Sequence, residues 1–325
     1  MNSGLVKQLA RQCGFELAGI APALPLPETA WYREWVERGM AGEMSYLAGR
    51  RAQVRADPRL LLPSAQSIVC LGKLYNTPHP YSTEFQERGR AWISRYAWGR
   101  DYHDVIRGAL RSLAKKLADA SPRPFEWKAC VDTAPLLERA YARRAGLGWI
   151  GKNTCLIHQG GGSWYFLAAL LVSLELEPDR PQPDRCGSCT RCVDACPTRA
   201  IVPTGRAGGP SHTVDSRRCI SYLTIERPGE IPGMGSTVFG CDICQDVCPW
   251  NRNAPSTTDP AFSPTHFAPP LAALARLNEE SFLSTFQGSA VLRAGCGGLL
   301  GNVARIVRDV SSPGHDPDSL PASDS

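Results

Sequence analysis

The chain has 325 residues, 43% of them hydrophobic, and its 36 basic and 31 acidic residues give a formal net charge of +5. This length allows two or three domains with buried cores, and the ordinary hydrophobic content excludes a fibrous chain or a fully disordered one. The small net charge is weak evidence for nucleic-acid binding by itself.

The first half of the chain, residues 1–176, has the mixed helix and strand pattern of an α/β or α+β domain. The N-terminal stretch is amphipathic and lacks the apolar segment of a signal peptide, which predicts a cytoplasmic protein. The most apolar run, 164–174, is too short to cross a bilayer, so we expect no membrane contact. Apolar patterns predict helices over 3–13, 29–38, 102–118 and 134–145, and buried strands over 67–75, 125–131 and 165–176.

The second half of the chain is divided by changes in composition. A proline-rich segment marks a linker and opens a cysteine-rich module over 177–252. Helical patterns at about 271–278 and 290–308 predict a short C-terminal helical segment over 253–310. The last residues, 311–325, are rich in Ser, Asp and Pro and are expected to form a disordered tail.

Eight of the thirteen cysteines follow the spacing of bacterial ferredoxins. In that pattern three thiolates surround one [4Fe–4S] cluster, and the cysteine that precedes a proline ligates the other cluster. The spacing therefore predicts two clusters with crossed ligands. Cluster 1 takes Cys186, Cys189, Cys192 and Cys248, and cluster 2 takes Cys196, Cys219, Cys241 and Cys244.

Zinc sites and disulfides are the alternative uses of such cysteines. Zinc ribbons use pairs of Cys-x2-Cys and rarely a third cysteine in the run, and disulfides need an oxidising compartment. Neither fits this chain as well as the ferredoxin pattern does. The other five cysteines have no partner at ligand spacing and are interpreted as small buried hydrophobes: Cys13, Cys70, Cys130, Cys155 and Cys296.

A carboxylate stands at the end of a predicted strand in the segment Val131-Asp-Thr-Ala-Pro135. Asp or Thr at such a place is usually the N-cap of the following helix, and Thr133 could serve alone. The functional alternative is that Asp132 is a general acid, because an apolar pocket raises the pKa of a carboxyl group and lets it keep a proton near neutrality. The sequence by itself favours the cap.

Two further segments carry basic and aromatic residues. The segment 94–103, Ser-Arg-Tyr-Ala-Trp-Gly-Arg-Asp-Tyr-His, could grip phosphates or stack on a base or a macrocycle, or it could be a helix N-terminus with surface arginines. Asp101-x-His103 lacks the glycine of the corrinoid motif Asp-x-His-x-x-Gly, so His103 is interpreted as structural. The segment 148–153 matches no phosphate-binding loop, and a turn is the simpler interpretation.

Six segments, taken in order, resemble the epoxyqueuosine reductase family. They are 94–103, 131–135, Gly146-Leu-Gly-Trp-Ile-Gly-Lys-Asn153, the first cysteine run, Cys219-Ile-Ser-Tyr-Leu-Thr-Ile-Glu226 and Gly240-Cys-Asp-x-Cys-Gln-x-x-Cys-Pro-Trp-Asn251. The match extends over residues 1–308, and six ordered motifs are far more specific than any one of them.

The resemblance implies an N-terminal α/β cobalamin-binding domain, a ferredoxin-like module with two [4Fe–4S] clusters and a HEAT-like C-terminal segment. Such an enzyme reduces epoxyqueuosine to queuosine at the wobble position of a tRNA anticodon loop. Asp132 corresponds to the family's proton donor, and cobalamin lies between the first domain and the cluster module without a histidine on cobalt. By position, the residues that would line the cofactor are Arg95, Tyr96, Asp132, Lys152, Asn153, Ser221, Tyr222 and Thr224.

The implied partners are tRNA and an external low-potential electron donor, and the protein is expected to be a monomer. We expect phosphate contacts from the paired arginines at 143–144 and 217–218. Many family members carry a helical repeat that helps hold tRNA; segment 288–302 is similar to its start, and contacts of that repeat are expected to be reduced here. Two other classes stay open: a corrinoid enzyme similar to reductive dehalogenases that acts on a small molecule, and a ferredoxin-like electron carrier.

Overall fold

The computed structural model describes residues 1–85, 87–206, 209–227 and 235–311. The strands are Leu17–Pro22 (β1), Ser67–Leu74 (β2), Trp92–Ile93 (β3), Trp127–Cys130 (β4), Trp149–Ile150 (β5), Leu156–Ile157 (β6), Tyr165–Val172 (β7), Ile201–Pro203 (β8), His212–Val214 (β9) and Thr237–Phe239 (β10). The helices are Ser3–Gln12 (α1), Glu28–Glu37 (α2), Gly49–Val54 (α3), Tyr102–Ala120 (α4), Glu138–Arg144 (α5), Arg191–Asp194 (α6), Ile220–Ile225 (α7), Ile243–Asp246 (α8), Leu271–Leu274 (α9), Glu279–Thr285 (α10) and Gly295–Ser311 (α11).

The main sheet has the strand order β1-β2-β7-β4, and each neighbouring pair is antiparallel. The first domain mixes helices and strands as predicted, and its antiparallel sheet makes it α+β. All eight residues of β2 are buried, as expected for a central strand covered on both faces. The predicted strands are confirmed within a few residues, whereas β1 has no counterpart among the predictions.

Helices cover both faces of this sheet because successive strand residues point to opposite sides. Val69 and Leu71 of β2 pack in the same core as α1 and α4, whereas Ile68 and Cys70 pack on the side of α5. The buried residues of α4 recur at helical spacing: Ile106, Leu110, Leu113, Ala114 and Leu117. The sheet thereby fixes the start of α4 and the end of β4 on one side of the domain.

A second core joins three parts of the chain that are far apart in sequence. Trp92 and Trp98 pack there with Phe239 and with the C-terminal helices α9, α10 and α11. The short parallel pair of β3 and β10 forms its backbone link. Asn302 of α11, which is fully buried, donates from Nδ2 to the carbonyl oxygens of Thr224 and Val238, both at 2.9 Å. This core holds the C-terminal helical segment against the cysteine-rich module.

Helices α9, α10 and α11 lie within the segment predicted to be helical, and its bounds and its resemblance to HEAT repeats stay predictions. Helix α9 ends at Leu274, earlier than predicted, and a 3-10 turn at Ala290–Ala294 precedes α11. One described stretch, 290–308, is long and apolar enough to cross a membrane by length and composition. Its buried side chains lie in the second core, as in a core helix of a soluble fold. The predicted tail lies outside the described residues, apart from Ser311, which ends α11.

Candidate active site

The four predicted ligands of cluster 1 meet in one place. Cys186, Cys189, Cys192 and Cys248 line a single cavity of about 400 Å³ together with Lys152. Cys248 is distant in sequence from the other three and reaches the cavity because α6 and α8 pack side by side. Cys248 therefore lies beside the first cysteine run, which is consistent with the crossed ligands that stay a prediction.

The predicted ligands of cluster 2 also lie near one another. Cys219 and Cys241 pack against the same small apolar core. Burial is the main cause that raises the pKa of the Cys241 thiol, and the neighbouring Cys219 and Cys196 add to the effect. Cys244 lies within reach of both Cys241 and Cys219, whose charges likewise raise the pKa of its buried thiol. A second thiol nest is thus formed from two cysteine runs and Cys219.

Both nests consist of cysteine thiols, which are the ligands of [4Fe–4S] clusters. Trp149 Nε1 is buried beside Cys248 with no hydrogen-bond partner in the described part of the chain, so it is free to donate to a cluster sulfur. Backbone N–H groups point at ligand thiols too, as from Ala200 to Cys196 Sγ at 3.3 Å.

Asp132 lies at the end of β4 and is hydrogen-bonded to the start of α4. Its Oδ2 is 3.1 Å from His103 Nε2, and His103 Nδ1 is 2.8 Å from Asp101 Oδ1. Asp132 has a left-handed φ of 47°, which Asp tolerates better than most residues and which is often found at functional sites. Its carboxylate remains 58% exposed, so a substrate can reach it.

The position of α5 bears on whether Asp132 is a helix N-cap or a general acid. Helix α5 begins at Glu138, and Leu137 at its N-cap position makes no side-chain cap. Pro135 therefore does not open the helix, and the predicted start at 134 is wrong because 131–137 is a loop. Asp132 uses its side chain for His103 instead, which favours the functional alternative.

The charge state of this pair depends on the groups around it. Burial alone would raise the pKa of Asp132, but hydrogen bonds from His103 and Tyr102 and the charge of His103 lower it below its ordinary value. Burial alone would likewise lower the pKa of His103, yet Asp101 and Asp132 raise it to about 9. Near neutrality these shifts favour the proton on the His103 imidazole over Asp132, and the role of Asp132 as proton donor stays a prediction.

A second carboxyl group belongs to the same loop. Glu138 Oε1 accepts the backbone N–H of Asp132 at 2.9 Å. Burial, and then the negative charge of Asp132, raise the pKa of Glu138 to about 8. Glu138 therefore keeps its proton at neutral pH, as a carboxyl group in a dehydrated setting does.

The side of the site that faces the cluster module is built from three separate segments. Glu226, just beyond α7, accepts hydrogen bonds from Tyr46 at 3.1 Å and from Arg293 at 3.0 Å. The Arg293 guanidinium lies 5.4 Å from the centroid of the Tyr46 ring. The charge of Asp132 contributes to raising the pKa of Tyr46 to about 12, after burial and Glu226. The N-terminal domain, the cluster module and the C-terminal helices therefore meet beside Asp132.

Several residues predicted to line a cofactor are buried in other roles. The Arg95 guanidinium donates to the carbonyl oxygens of Thr77, His79 and Pro80 and stacks on Trp98. Arg95 is 2% exposed, and a residue that lines an accessible site has to present atoms at the surface. The Arg95 guanidinium is therefore engaged within the protein, and its contact with a cofactor stays a prediction.

Other members of that predicted set also make contacts within the protein. Thr224 is fully buried and accepts the N–H of Gly240, and Tyr222 is 5% exposed and accepts the N–H of Glu43 with its hydroxyl. Asn153, 3% exposed, donates to the carbonyl oxygen of Cys244. Lys152 donates to the carbonyl oxygens of Gly187 and Cys189 and lies at cluster 1. These residues shape the cysteine loops, whereas Tyr96, Asp132 and Ser221 remain partly exposed.

Residues that the sequence analysis did not select surround Asp132. His103 was interpreted as structural, and Glu138 and Tyr46 were not considered; the pattern Asp101-x-His103 was the one available signal. The paired arginines proposed for phosphate contacts are largely engaged within the protein, since Arg143 binds Glu28 and Arg217 binds Asp215, each at 2.7 Å. Exposed basic residues closer to the site are Arg51, which donates to the Thr133 carbonyl oxygen, and Arg139, which donates to Thr154 O at 2.6 Å.

Two family models match this chain. Residues 55–133 match the family described as epoxyqueuosine reductase QueG, DUF1730, and residues 185–251 match a 4Fe-4S double cluster binding domain. An epoxyqueuosine reductase of Xanthomonas campestris is 41% identical over 310 residues, which cover 92% of this chain and 84% of that protein. One of Cellulophaga algicola is 41% identical over 317 residues, which cover 93% of this chain and 97% of that protein.

Solved structures agree with the sequence relatives. The epoxyqueuosine reductase of Streptococcus thermophilus matches with a TM-score of 0.82 and 32% identity, over 96% of this chain and 83% of that one. An epoxyqueuosine reductase with a tRNA-Tyr epoxyqueuosine-modified stem loop matches with a TM-score of 0.80 and 30% identity, over 94% and 80%. The Bacillus subtilis enzyme, solved with its catalytic aspartate loop swung out of the active site, matches with a TM-score of 0.79 and 29% identity, over 94% and 80%.

Proposed function

The chain belongs to the epoxyqueuosine reductase family, and from this premise we propose that it reduces the epoxide of epoxyqueuosine to the alkene of queuosine in tRNA. The observation that carries the proposal is that an exposed Asp132, hydrogen-bonded to a protonated His103, occurs in one fold with two thiol nests. The enzyme is an oxidoreductase, and we place it in the cytoplasm as a monomer supplied by an external low-potential electron donor.

The reaction requires two electrons and two protons. Cleavage of both C–O bonds of the epoxide leaves the alkene, and the oxygen departs as water. Asp132 Oδ2 accepts a proton from His103 Nε2 and passes it to the oxygen that leaves carbon. A carboxyl group that is reprotonated by a neighbouring imidazolium can act as a general acid although its own pKa is low. Glu138 holds a second proton beside Asp132. Together His103 and Glu138 therefore hold the two protons that one turnover consumes.

The residues of the two thiol nests would hold two [4Fe–4S] clusters, which would supply electrons one at a time. Cobalamin, when bound, would supply a cobalt centre that takes up these electrons at low potential for delivery to carbon. In the described residues the imidazole at Asp132 is that of His103, and both of its nitrogens face carboxylates. His103 is thus committed to these carboxylates, and we propose that Tyr96, Asp132 and Ser221 would contact the corrin on this chain.

Recognition of the anticodon loop is proposed to involve Arg51 and Arg139. Both are exposed and bonded to backbone of the loops around Asp132, so their positive charge is held near the reacting base. Contacts to phosphates make RNA affinity fall as salt rises. We therefore expect the affinity for an anticodon stem loop to fall with salt, and a salt-independent affinity would contradict this role.

The test of the proposal is an anaerobic assay on reconstituted enzyme. Asp132→Asn should keep corrin absorbance and iron content but lose ~10²–10⁴-fold in turnover of epoxyqueuosine-modified tRNA, because the amide cannot relay the proton. The matched control is Asp104→Asn, an exposed acid at 71% that pairs with Arg107 on α4. Near-normal turnover by Asp132→Asn would remove Asp132 from the reaction, and wild-type protein without corrin absorbance would contradict the proposed cofactor.

A further inference from the structure

The cavity that is lined by the cluster 1 thiols opens at a surface that carries several basic side chains. Besides the four cysteines it is lined by Lys152, Arg185 and Arg191, and none of its lining residues in the described part of the chain is a carboxylate. A neighbouring depression of about 630 Å³ shares Cys248 and Arg191, adds Arg252, and is also lined by the carboxylates Glu84, Asp194 and Asp246. Cys248 thus lines both hollows, and cluster 1 would lie beside an opening to the surface.

Three of these basic residues, Arg185, Arg191 and Arg252, form what we term the arginine rim. All three are exposed, and within the described residues their guanidinium groups make no ion pair or hydrogen bond. This differs from Arg217 and Arg293, which are engaged by carboxylates. Exposed and unpaired charges contribute little to stability, but they steer the approach of a partner of opposite charge.

Carboxylates near the rim are occupied by other contacts. Asp194 accepts the hydroxyl of Thr190 at 2.7 Å, and Asp246 accepts the backbone N–H of Ser82 at 2.9 Å. Glu84 accepts the backbone N–H of Tyr81 at 3.2 Å. None of these three carboxylates forms an ion pair with a rim arginine in the part of the chain that the structure describes, so the guanidinium groups remain available to a partner.

The position of the rim relative to Asp132 favours electron entry at cluster 1. Cluster 2 adjoins the Asp132 site, because α7 follows Cys219 directly and leads to Glu226, which contacts Tyr46 and Arg293. An electron carrier that docks at the rim would therefore meet cluster 1 first, with cluster 2 between it and the substrate. A tRNA loop has to reach Asp132 instead, so we favour a protein at the rim over RNA.

We propose that the arginine rim docks a small acidic one-electron carrier protein that reduces cluster 1. The proposal rests on the proposed function, since the reaction needs two electrons for each epoxide. Each docking event oxidises the carrier by one electron and reduces cluster 1 by one. Two such events, with two protons, convert one epoxide into one alkene and one water.

The experiment compares Arg191→Glu/Arg252→Glu with the matched control Arg111→Glu/Arg123→Glu, whose arginines are exposed in or near α4. The probe is an acidic flavodoxin, oxidised for binding by fluorescence anisotropy and as the hydroquinone for stopped-flow reduction of the clusters. At low ionic strength the rim variant should bind roughly 10-fold more weakly and accept electrons roughly 10-fold more slowly than the control, and high salt should remove the difference. Flavodoxin-driven turnover should fall by the same factor relative to dithionite-driven turnover.

Four outcomes would overturn the docking surface. The first is that wild-type protein does not bind flavodoxin, and the second is that the rim variant binds flavodoxin and accepts electrons as well as the control variant does. The third is that the rim variant loses as much turnover with dithionite as with flavodoxin. The fourth is that the rim variant loses binding of the tRNA stem loop but still binds flavodoxin. The third would mean that the arginines tune the cluster, and the fourth that the rim binds RNA. Arg252→Glu alone, four residues beyond the nearest cysteine, serves the same test if the double variant loses iron. Absence of dithionite-driven turnover in wild-type enzyme would instead contradict the proposed function.

Discussion

Replacement of His103 by glutamine should separate the proton supply from the rest of the site. In the wild-type protein two carboxylates raise the pKa of His103 from 6.5 to about 9. This shift corresponds to ~3 kcal/mol of preference for the imidazolium. Glutamine can still donate a hydrogen bond to Asp132 but cannot carry a proton. We therefore expect His103→Gln to lower single-turnover rates at neutral pH by ~10²-fold, within the range of general-acid catalysis.

The pH dependence gives the sharper readout. Because the folded-state pKa of His103 is raised, its charge and the stability that the charge contributes are fully present below about pH 6.5 and are lost as pH rises through about 9. Turnover by the wild type should fall over the same upper range. In His103→Gln the turnover rate should no longer fall at high pH. Asp101→Asn removes one of the two carboxylates beside His103, so the pH at which turnover falls should be lower by ~1 pH unit.

The assay combines kinetics with a direct titration. Anaerobic single-turnover rates with dithionite would be measured from about pH 6 to about pH 10, with corrin absorbance as the control for loading. Imidazole NMR signals of the protein would be titrated in parallel, and His103 would be identified as the signal missing from His103→Gln. An imidazole that titrates near its ordinary pKa, or a variant that keeps the wild-type alkaline limb, would refute the proton store.

The remaining predictions concern stability and iron content. Glu138→Gln should leave the free energy of unfolding unchanged near pH 4 but raise it by ~1–3 kcal/mol above pH 8. The reason is that a carboxyl group whose pKa is raised to about 8 makes the folded protein less stable as pH rises from its ordinary pKa to that value. A difference in urea unfolding that does not depend on pH would contradict this. Cys248→Ser should reduce iron from about eight to about four per chain, whereas Cys155→Ser should keep all of it; equal losses by iron analysis would show that Cys155 is a ligand. Asn302→Ala should destabilise the protein by ~2 kcal/mol, since it strips two buried carbonyl oxygens of a donor, and exposed Asn253→Ala should change the free energy of unfolding by under about 0.5 kcal/mol.

The spacing of the cysteines was sufficient to predict both thiol nests and their crossing. Three cysteines spaced as Cys-x2-Cys-x2-Cys are close enough along the chain to bind one [4Fe–4S] cluster, so this part of the ligand set can be predicted from the sequence. Family membership was likewise readable, because six ordered motifs extend over most of the chain. The strands 67–75 and 165–176 were visible as apolar runs, since central strands are buried on both faces.

The contents of the Asp132 site depended on tertiary structure. The segment Val131-Asp-Thr-Ala-Pro135 has the sequence of a helix N-cap. In the structure α5 begins only at Glu138, and the carboxylate of Asp132 is hydrogen-bonded to His103 instead. His103 stands 29 residues before Asp132, and packing of α4 and β4 around one sheet brings them together. Arg95 shows the reverse case, because its charge suggested a ligand contact but folding buries it among backbone carbonyl oxygens.

The sequence alone thus determined the family and which cysteines are expected to be iron–sulfur ligands, because their spacing is a pattern along the chain. Tertiary structure decided which groups surround Asp132 and in which direction they shift its pKa. The pKa of a side chain depends on burial and on charges that folding brings within a few ångströms, and linear spacing does not encode those distances.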